Sequence, residues 1–328
     1  MTEFSVKRGI PAAGFCFSEK RLTFRGSYFN SRLMKRLIYS LLLISLFPVG
    51  ASAQMHHEVG LTAGVANYYG DLQTQSIPSY GFKAMGGITY KFFMSPHVGL
   101  RLGATFAQLT AADSLSNIGV NRSRNLSFAT NLFEVHGGLE LNLLPIDIDR
   151  MKVTPYVFGG LALFYYNPYT TASNGDKVFL RPLSTEGQGI SNYPDRKEYK
   201  LVNVAFPIGG GLKFFVGKTL MITTEVGLRY CATDYLDDVS RSYVNLDTLQ
   251  AFRGAQAAEI SFRGDEVAGW DGNYPNYKYQ RGDPKSNDWY YFCGLNVSIY
   301  FSALGNIKEY MQTKCPSFFP SKAKTYYR

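Results

Sequence analysis

The groups in this chain best suited to chemistry are few: His56, His57, His97 and His136, and the cysteines Cys16, Cys231, Cys293 and Cys315. His56 and His57 are adjacent, and neighbours on a strand point to opposite faces, so the pair does not close on one metal ion. His136 shares a strand face with Glu134, a spacing that suits a hydrogen-bonded pair. A catalytic base needs a nucleophile and an orienting group converging on it. No serine stands at a suggestive spacing from His136. Thr233–Val239 carries Asp234, Asp237 and Asp238, whose oxygens have the hardness that Ca²⁺ prefers. The preferred reading is a polar loop base in which these carboxylates pair with Arg241 or Arg281. Arg263-Gly264-Asp265 and Arg281-Gly282-Asp283 repeat a tripeptide known from adhesion, in a segment rich enough in Gly, Asp and Arg for chance to supply both. The expectation is a protein that is no enzyme and carries no cofactor and no metal.

The composition points to strands as the elements that position these groups. The chain has 328 residues, of which 45% are hydrophobic, 15% aromatic and 18% charged, with 32 glycines. Many aromatics and glycines with few charges suit β-structure. After Leu37–Gly50 no apolar run approaches the roughly 20 residues of a spanning helix, which excludes a membrane helical bundle. The net charge of +9 is concentrated at the ends: residues 1–33 and 304–328 carry +4 each and residues 34–53 carry +2, leaving the body at −1. A nucleic-acid partner is therefore not expected.

Met34-Lys35-Arg36, the apolar run from Leu37 to Phe47 and Ala51-Ser52-Ala53 have the order of a Sec-type signal peptide. Cleavage is expected after Ala53, and residues 1–33 read as an over-extended start. Export would leave Cys231, Cys293 and Cys315, an odd number with no obvious pairing.

From residue 54 to 303 the chain alternates apolar and polar residues in eight stretches, the signature of half-buried strands. They are His57–Tyr69, Tyr80–Phe93, His97–Thr110, Leu126–Leu144, Val153–Tyr166, Tyr199–Val216, Thr219–Thr233 and Asp288–Ser302. Short connections alternate with long ones, up to the 54-residue segment Asp234–Asn287. This is the pattern of an eight-stranded antiparallel transmembrane β-barrel, with long extracellular loops and a short periplasmic tail, 304–328. Lipid would face the apolar side, with girdles formed by Tyr68, Tyr69, Tyr90, Phe92, Tyr165, Tyr166, Tyr290 and Tyr291. An eight-stranded lumen is filled by side chains. The inward face carries Lys83, Lys91, Arg101, Lys213 and Arg229 against Glu58, Glu134, Glu140 and Glu225, charges that can pair into a plug. The tail Leu304–Arg328 places Leu304, Ile307, Tyr310 and Met311 at helical spacing before a basic stretch, a pattern that suits docking on a periplasmic partner or anionic lipid and equally a plug under the barrel or a frayed end.

Particular residues carry a family resemblance. Glu58-Val59-Gly60-Leu61 through Asn67-Tyr68-Tyr69-Gly70-Asp71-Leu72 resembles the first strand of the PorG-like outer-membrane barrels of Bacteroidetes. Ile208-Gly209-Gly210-Gly211-Leu212-Lys213 is similar to that family's sixth strand. Glu225-Val226-Gly227-Leu228-Arg229 with Thr233-Asp234-Tyr235-Leu236-Asp237-Asp238-Val239 is the most specific match. The run from Arg281-Gly282-Asp283 to Asp288-Trp289-Tyr290 resembles the family too, which more often has Asn where Asp283 stands. The resemblance covers residues 55–316. It implies an outer-membrane component of the type IX secretion and gliding apparatus, in contact with lipid and with the periplasmic PorK/PorN ring. It singles out Asp234, Tyr235, Asp237, Asp238, Asp283, Asp288 and Trp289 as a loop-base motif.

Overall fold

The computed structural model describes residues 56–75, 80–144, 153–216, 219–275 and 278–302. The expected start segment, the signal peptide with its cleavage site and the tail 304–328 lie outside the described residues.

The fold is built from eight long strands: β1 (His56–Tyr69), β2 (Lys83–Phe93), β3 (Val98–Ala112), β4 (Ser127–Asn142), β5 (Val153–Tyr165), β8 (Val202–Val216), β9 (Leu220–Cys231) and β10 (Trp289–Ser302). Each pairs antiparallel with its neighbours in the order β3-β2-β1-β10-β9-β8-β5-β4, and β3 pairs again with β4. That last ladder leaves no barrel edge unpaired, which is the condition for placing strands in lipid. The structure is thus a closed eight-stranded antiparallel β-barrel. Pro207, which has no N–H to give a ladder, sits inside β8, and the β5–β8 pairing is interrupted beside it.

Alternation sorts the side chains. Leu61, Ile88, Leu161, Ile208 and Ile299 point outward and are 58–68% exposed, an apolar wall that water would penalise and hydrocarbon would not. The partners of this pattern point inward and are buried. Three of the tyrosines expected in the aromatic girdles, Tyr68, Tyr166 and Tyr290, are instead buried. The reason is strand geometry: in Tyr68-Tyr69, Tyr165-Tyr166 and Tyr290-Tyr291 only one member can face lipid.

One end of the barrel has the short connections 94–97, 143–152 and 217–219. The other has the long segments 70–82, 113–126, 166–201 and 232–288. These long segments fold into a cap with its own elements. They are helix α1 (Gly119–Arg124), the small hairpin β6 (Tyr169–Thr171) and β7 (Lys177–Phe179), and helices α2 (Leu246–Arg253) and α3 (Ala255–Ser261). Asn245 caps α2 by accepting from Thr248 N–H. Leu72, Leu126, Leu236, Val239, Leu249 and Ile260 are buried in a core continuous with the upper barrel. The strands expected from Tyr80 and Tyr199 therefore start later. The chain turns at Gly81 with φ +82°, and Tyr199 stacks on Tyr235 inside the cap.

Candidate functional site

Two buried polar assemblies stand out, one in the lumen and one where the cap meets the barrel. In the lumen, inward positions of seven strands meet near the short-turn end. Lys91 lies 3.1 Å from Glu140 and 3.6 Å from Glu58. Lys213 pairs with Glu140 and lies 3.8 Å from Glu58. Arg101 reaches both Glu225 oxygens at 3.0 Å and Glu140 at 3.5 Å. Tyr156 donates its hydroxyl hydrogen to Glu225 at 3.0 Å. Higher up, Glu134 accepts from Tyr290 at 2.6 Å and sits 3.5 Å from Arg229 and 2.9 Å from His136.

Rings close the remaining space. Arg101 lies over Phe158, Lys213 over Phe93 and Arg229 over Phe292, at 3.9, 4.3 and 4.1 Å. Each is within the range of a cation–π contact. Glycines make room for them: a Cβ at Gly103 would overlap the His136 ring, and one at Gly227 would meet Arg229 and Phe158. Four cations thus balance four glutamates, and the arrangement fills the lumen with matched charge. Lys83 is not part of it. It is exposed at the loop end of β2, opposite Ala66, because a strand's first residue rides above the packed layers however well its face is assigned.

The cap hub joins all four long segments. Tyr68, the last buried residue of β1, donates to both Asp237 and Asp288, at 2.6 and 2.7 Å, while Leu236 N–H donates to Asp288. Asp238 accepts from Thr185 and Tyr199 at 2.5 and 2.7 Å. Arg281 lies 3.1 Å from Glu186 and donates to the carbonyls of Asp238 and Ser261. Arg124 binds both oxygens of Asp113 at 2.7 Å and the carbonyls of Asp71 and Arg281. Asp71 in turn accepts from the Asp283 N–H.

The expected pairing of the aspartates with Arg241 or Arg281 is met only in part, by Arg281 beside Asp238, where its charge acts on the carboxyl. Arg241 meets Asp195, and Arg281 takes the carboxylate of Glu186 and only a backbone carbonyl of Asp238. Asp234 and Tyr235 stand beside the hub, Asp283 joins through its backbone, and Trp289 turns away to pack on Tyr230 at 4.8 Å. Asp71 lies in the first-strand run that carries the resemblance, whereas Glu186, Arg124 and Asp113 were not singled out in the sequence. Their only local signal is a charge inside a segment otherwise rich in turn residues. Among the described residues no group of carboxylates, histidines and cysteines has the geometry to hold a metal ion. Arg281 is buried, so the second Arg-Gly-Asp tripeptide is structural.

Burial holds the hub carboxyls above their ordinary range. Asp288 is raised to about 8 and Asp234 to about 9 by desolvation, with Asp71 among the carboxylates that add to it. Asp71 and Asp238 rise to about 6 for the same first reason, and Asp237 rises well above normal beside Asp288. The native state then binds more protons than the unfolded state between about pH 4 and about pH 9. Cap stability is therefore greatest below the ordinary carboxyl range and falls as pH rises through the folded-state values. Hydrogen exchange in 232–288, corrected for intrinsic rates, should show less protection at about pH 9 than at about pH 5. Equal protection would contradict this.

A family profile described as a domain of unknown function, DUF6089, matches residues 35–257. Among curated proteins none matches. Solved structures similar to the chain include Neisserial surface protein A, at 8% identity over 76% of this chain and 98% of that one, TM-score 0.36. The outer membrane protein OprG of Pseudomonas aeruginosa gives 10%, 77%, 100% and 0.36. Ail of Yersinia pestis, solved with the heparin analogue sucrose octasulfate, gives 10%, 75%, 99% and 0.34. These are distant likenesses, and the barrel assignment rests on the strand pairing itself.

Proposed function

The chain belongs to the DUF6089 family, and we propose that it is a non-enzymatic outer-membrane barrel that anchors or organises the type IX secretion machinery through the periplasmic PorK/PorN ring. The observation that carries the reading is a closed barrel whose outside is apolar and whose inside is filled by matched charges. Such a body is suited to holding a position in a membrane rather than to passing solutes or turning over substrate. With the short turns, the start of β1 and the end of β10 at the periplasmic end, the chain beyond Ser302 would continue on the side of the ring. The segments that resemble the PorG-like barrels, Thr233–Val239 and Arg281–Tyr290, converge on one hub with Tyr68, which gives them a shared structural task.

Cells lacking the protein should lose most of the PorK/PorN ring from the outer-membrane fraction and regain it when the full chain is restored. Unchanged ring recovery would overturn the secretion role.

A second reading, a general surface-binding or membrane-stabilising barrel of OmpA-like architecture, is favoured by a cleft of about 460 Å³ in the cap. It is bordered by Ile118, Val120 and Tyr279, all exposed apolar side chains. On that reading ring recovery is unaffected and loss of the protein instead weakens envelope integrity.

A further inference from the structure

A second cleft, of about 520 Å³, opens on the outside of the cap directly above β8, lined by Lys197, Lys200, Asn203, Thr233, Tyr235 and Arg241. Its acidic members are already engaged: Asp195 pairs with Arg241 at 3.3 Å, and Glu198 is shared between Arg181 at 3.1 Å and Arg253 at 3.4 Å. Lys197 and Lys200 are exposed, and neither has a carboxylate partner among the described residues. The lining thus sets Lys197, Lys200 and Arg241 against Asp195 and Glu198, and the two lysines are its cations without an ion-pair partner among the described residues.

Their height matters as much as their charge. The apolar wall of β8 begins at Val202 and continues through Phe206 and Ile208, all exposed. Lys200 is two residues above that edge and Lys197 five, at most about 17 Å along the chain. Just below, Phe206, Tyr230 and Trp289 form a chain of ring contacts across β8, β9 and β10, at 6.5 and 4.8 Å. Of these, the amphipathic rings of Tyr230 and Trp289 suit the boundary between headgroups and acyl chains. The cationic cleft therefore lies at headgroup level, with an apolar and aromatic wall beneath it.

We propose that this cleft binds the phosphate of an outer-leaflet amphiphile of the lipid A type, with Lys197 and Lys200 holding the phosphate and the acyl chains lying along Val202, Phe206 and Tyr230. The inference rests on the outer-membrane reading above, though not on the secretion role. Ammonium groups are compact, mobile donors suited to a phosphate presented from the side. Stacked Tyr199 and Tyr235, 5.0 Å apart, give the cleft a fixed rear wall.

The full chain, folded in detergent and checked by its heat-sensitive gel mobility, would be mixed with diphosphoryl lipid A and the bound species counted by native mass spectrometry. Wild type should retain lipid A. A double variant, Lys197→Glu with Lys200→Glu, should lose at least about tenfold in retention, and Lys197→Gln with Lys200→Gln should lose an intermediate amount while keeping the fold. Dephosphorylated lipid A should bind weakly to all three. Equal retention by the variants, or equal binding of the dephosphorylated lipid, would overturn the proposal. So would inorganic phosphate alone binding as tightly as lipid A, which would make this a site for free phosphate. Fractionation separates the two claims: a chain absent from the outer membrane refutes the localisation, whereas a correctly placed chain indifferent to lipid A refutes only the cleft.

Discussion

Replacing Glu140 with alanine should destabilise the barrel by about 3–5 kcal/mol, the cost of stripping the shared partner from buried charges. Glu140 is fully buried and is the carboxylate on which Lys91, Lys213 and Arg101 converge. Without it those three cations face only Glu58 and Glu225 in a space from which water is excluded. The comparison that isolates charge from volume is Glu140→Gln, which keeps the shape and should recover only part of the loss. A double replacement, Glu140→Leu with Lys213→Met, removes one charge of each sign and should sit closer to wild type than Glu140→Ala does, because a removed pair costs less than a broken one. Urea titration of the folded barrel in lipid, read by gel mobility, measures all three. A Glu140→Ala barrel within about 0.5 kcal/mol of wild type would mean the lumen is held by its rings and glycines rather than by matched charge.

Arg281→Ala should release the cap while leaving the barrel folded. Its guanidinium meets the buried Glu186 carboxylate and two backbone carbonyls, so truncation leaves one charge and two acceptors short of a donor. A local loss of about 3–5 kcal/mol is expected for such a broken buried pair. Arg281→Lys should rescue little, since an ammonium group cannot span the three acceptors as the planar fork does. Hydrogen exchange should rise across 166–201 and 232–288 together, because Glu186 and Arg281 belong to different segments, while the strands keep their protection. A change confined to the immediate neighbours of Arg281 would contradict the hub.

The faces of the strands were legible because a period of two is imposed by the backbone itself. Val59 and Leu61 on β1 against Glu58, and Phe133 and Val135 on β4 against Glu134, need no knowledge of the partner strand. Strand ends were less legible. Tyr68 and Tyr69 are identical in type, and only the alternation of β1 carried through to its last residues, with Tyr68 on the face of Glu58, separates the inward ring from the outward one. Lys83 has the correct face but stands above the layers its face implies. The hub was half legible: Asp237, Asp238 and Asp288 were visible as a motif, whereas Glu186 is 95 residues from Arg281. Nothing in a long polar segment marks which charge will be buried, because that choice is made by the packing of four segments at once.

The proposed role requires a physical association between this barrel and the secretion ring. Its most direct test is affinity purification of the protein from cross-linked native outer membranes, followed by mass spectrometry. Enrichment of PorK/PorN-type proteins over abundant barrels, reduced when residues 304–328 are removed, is the expected result. Recovery of lipid and bulk porins alone would contradict it and leave the barrel a resident of the membrane without a part in secretion.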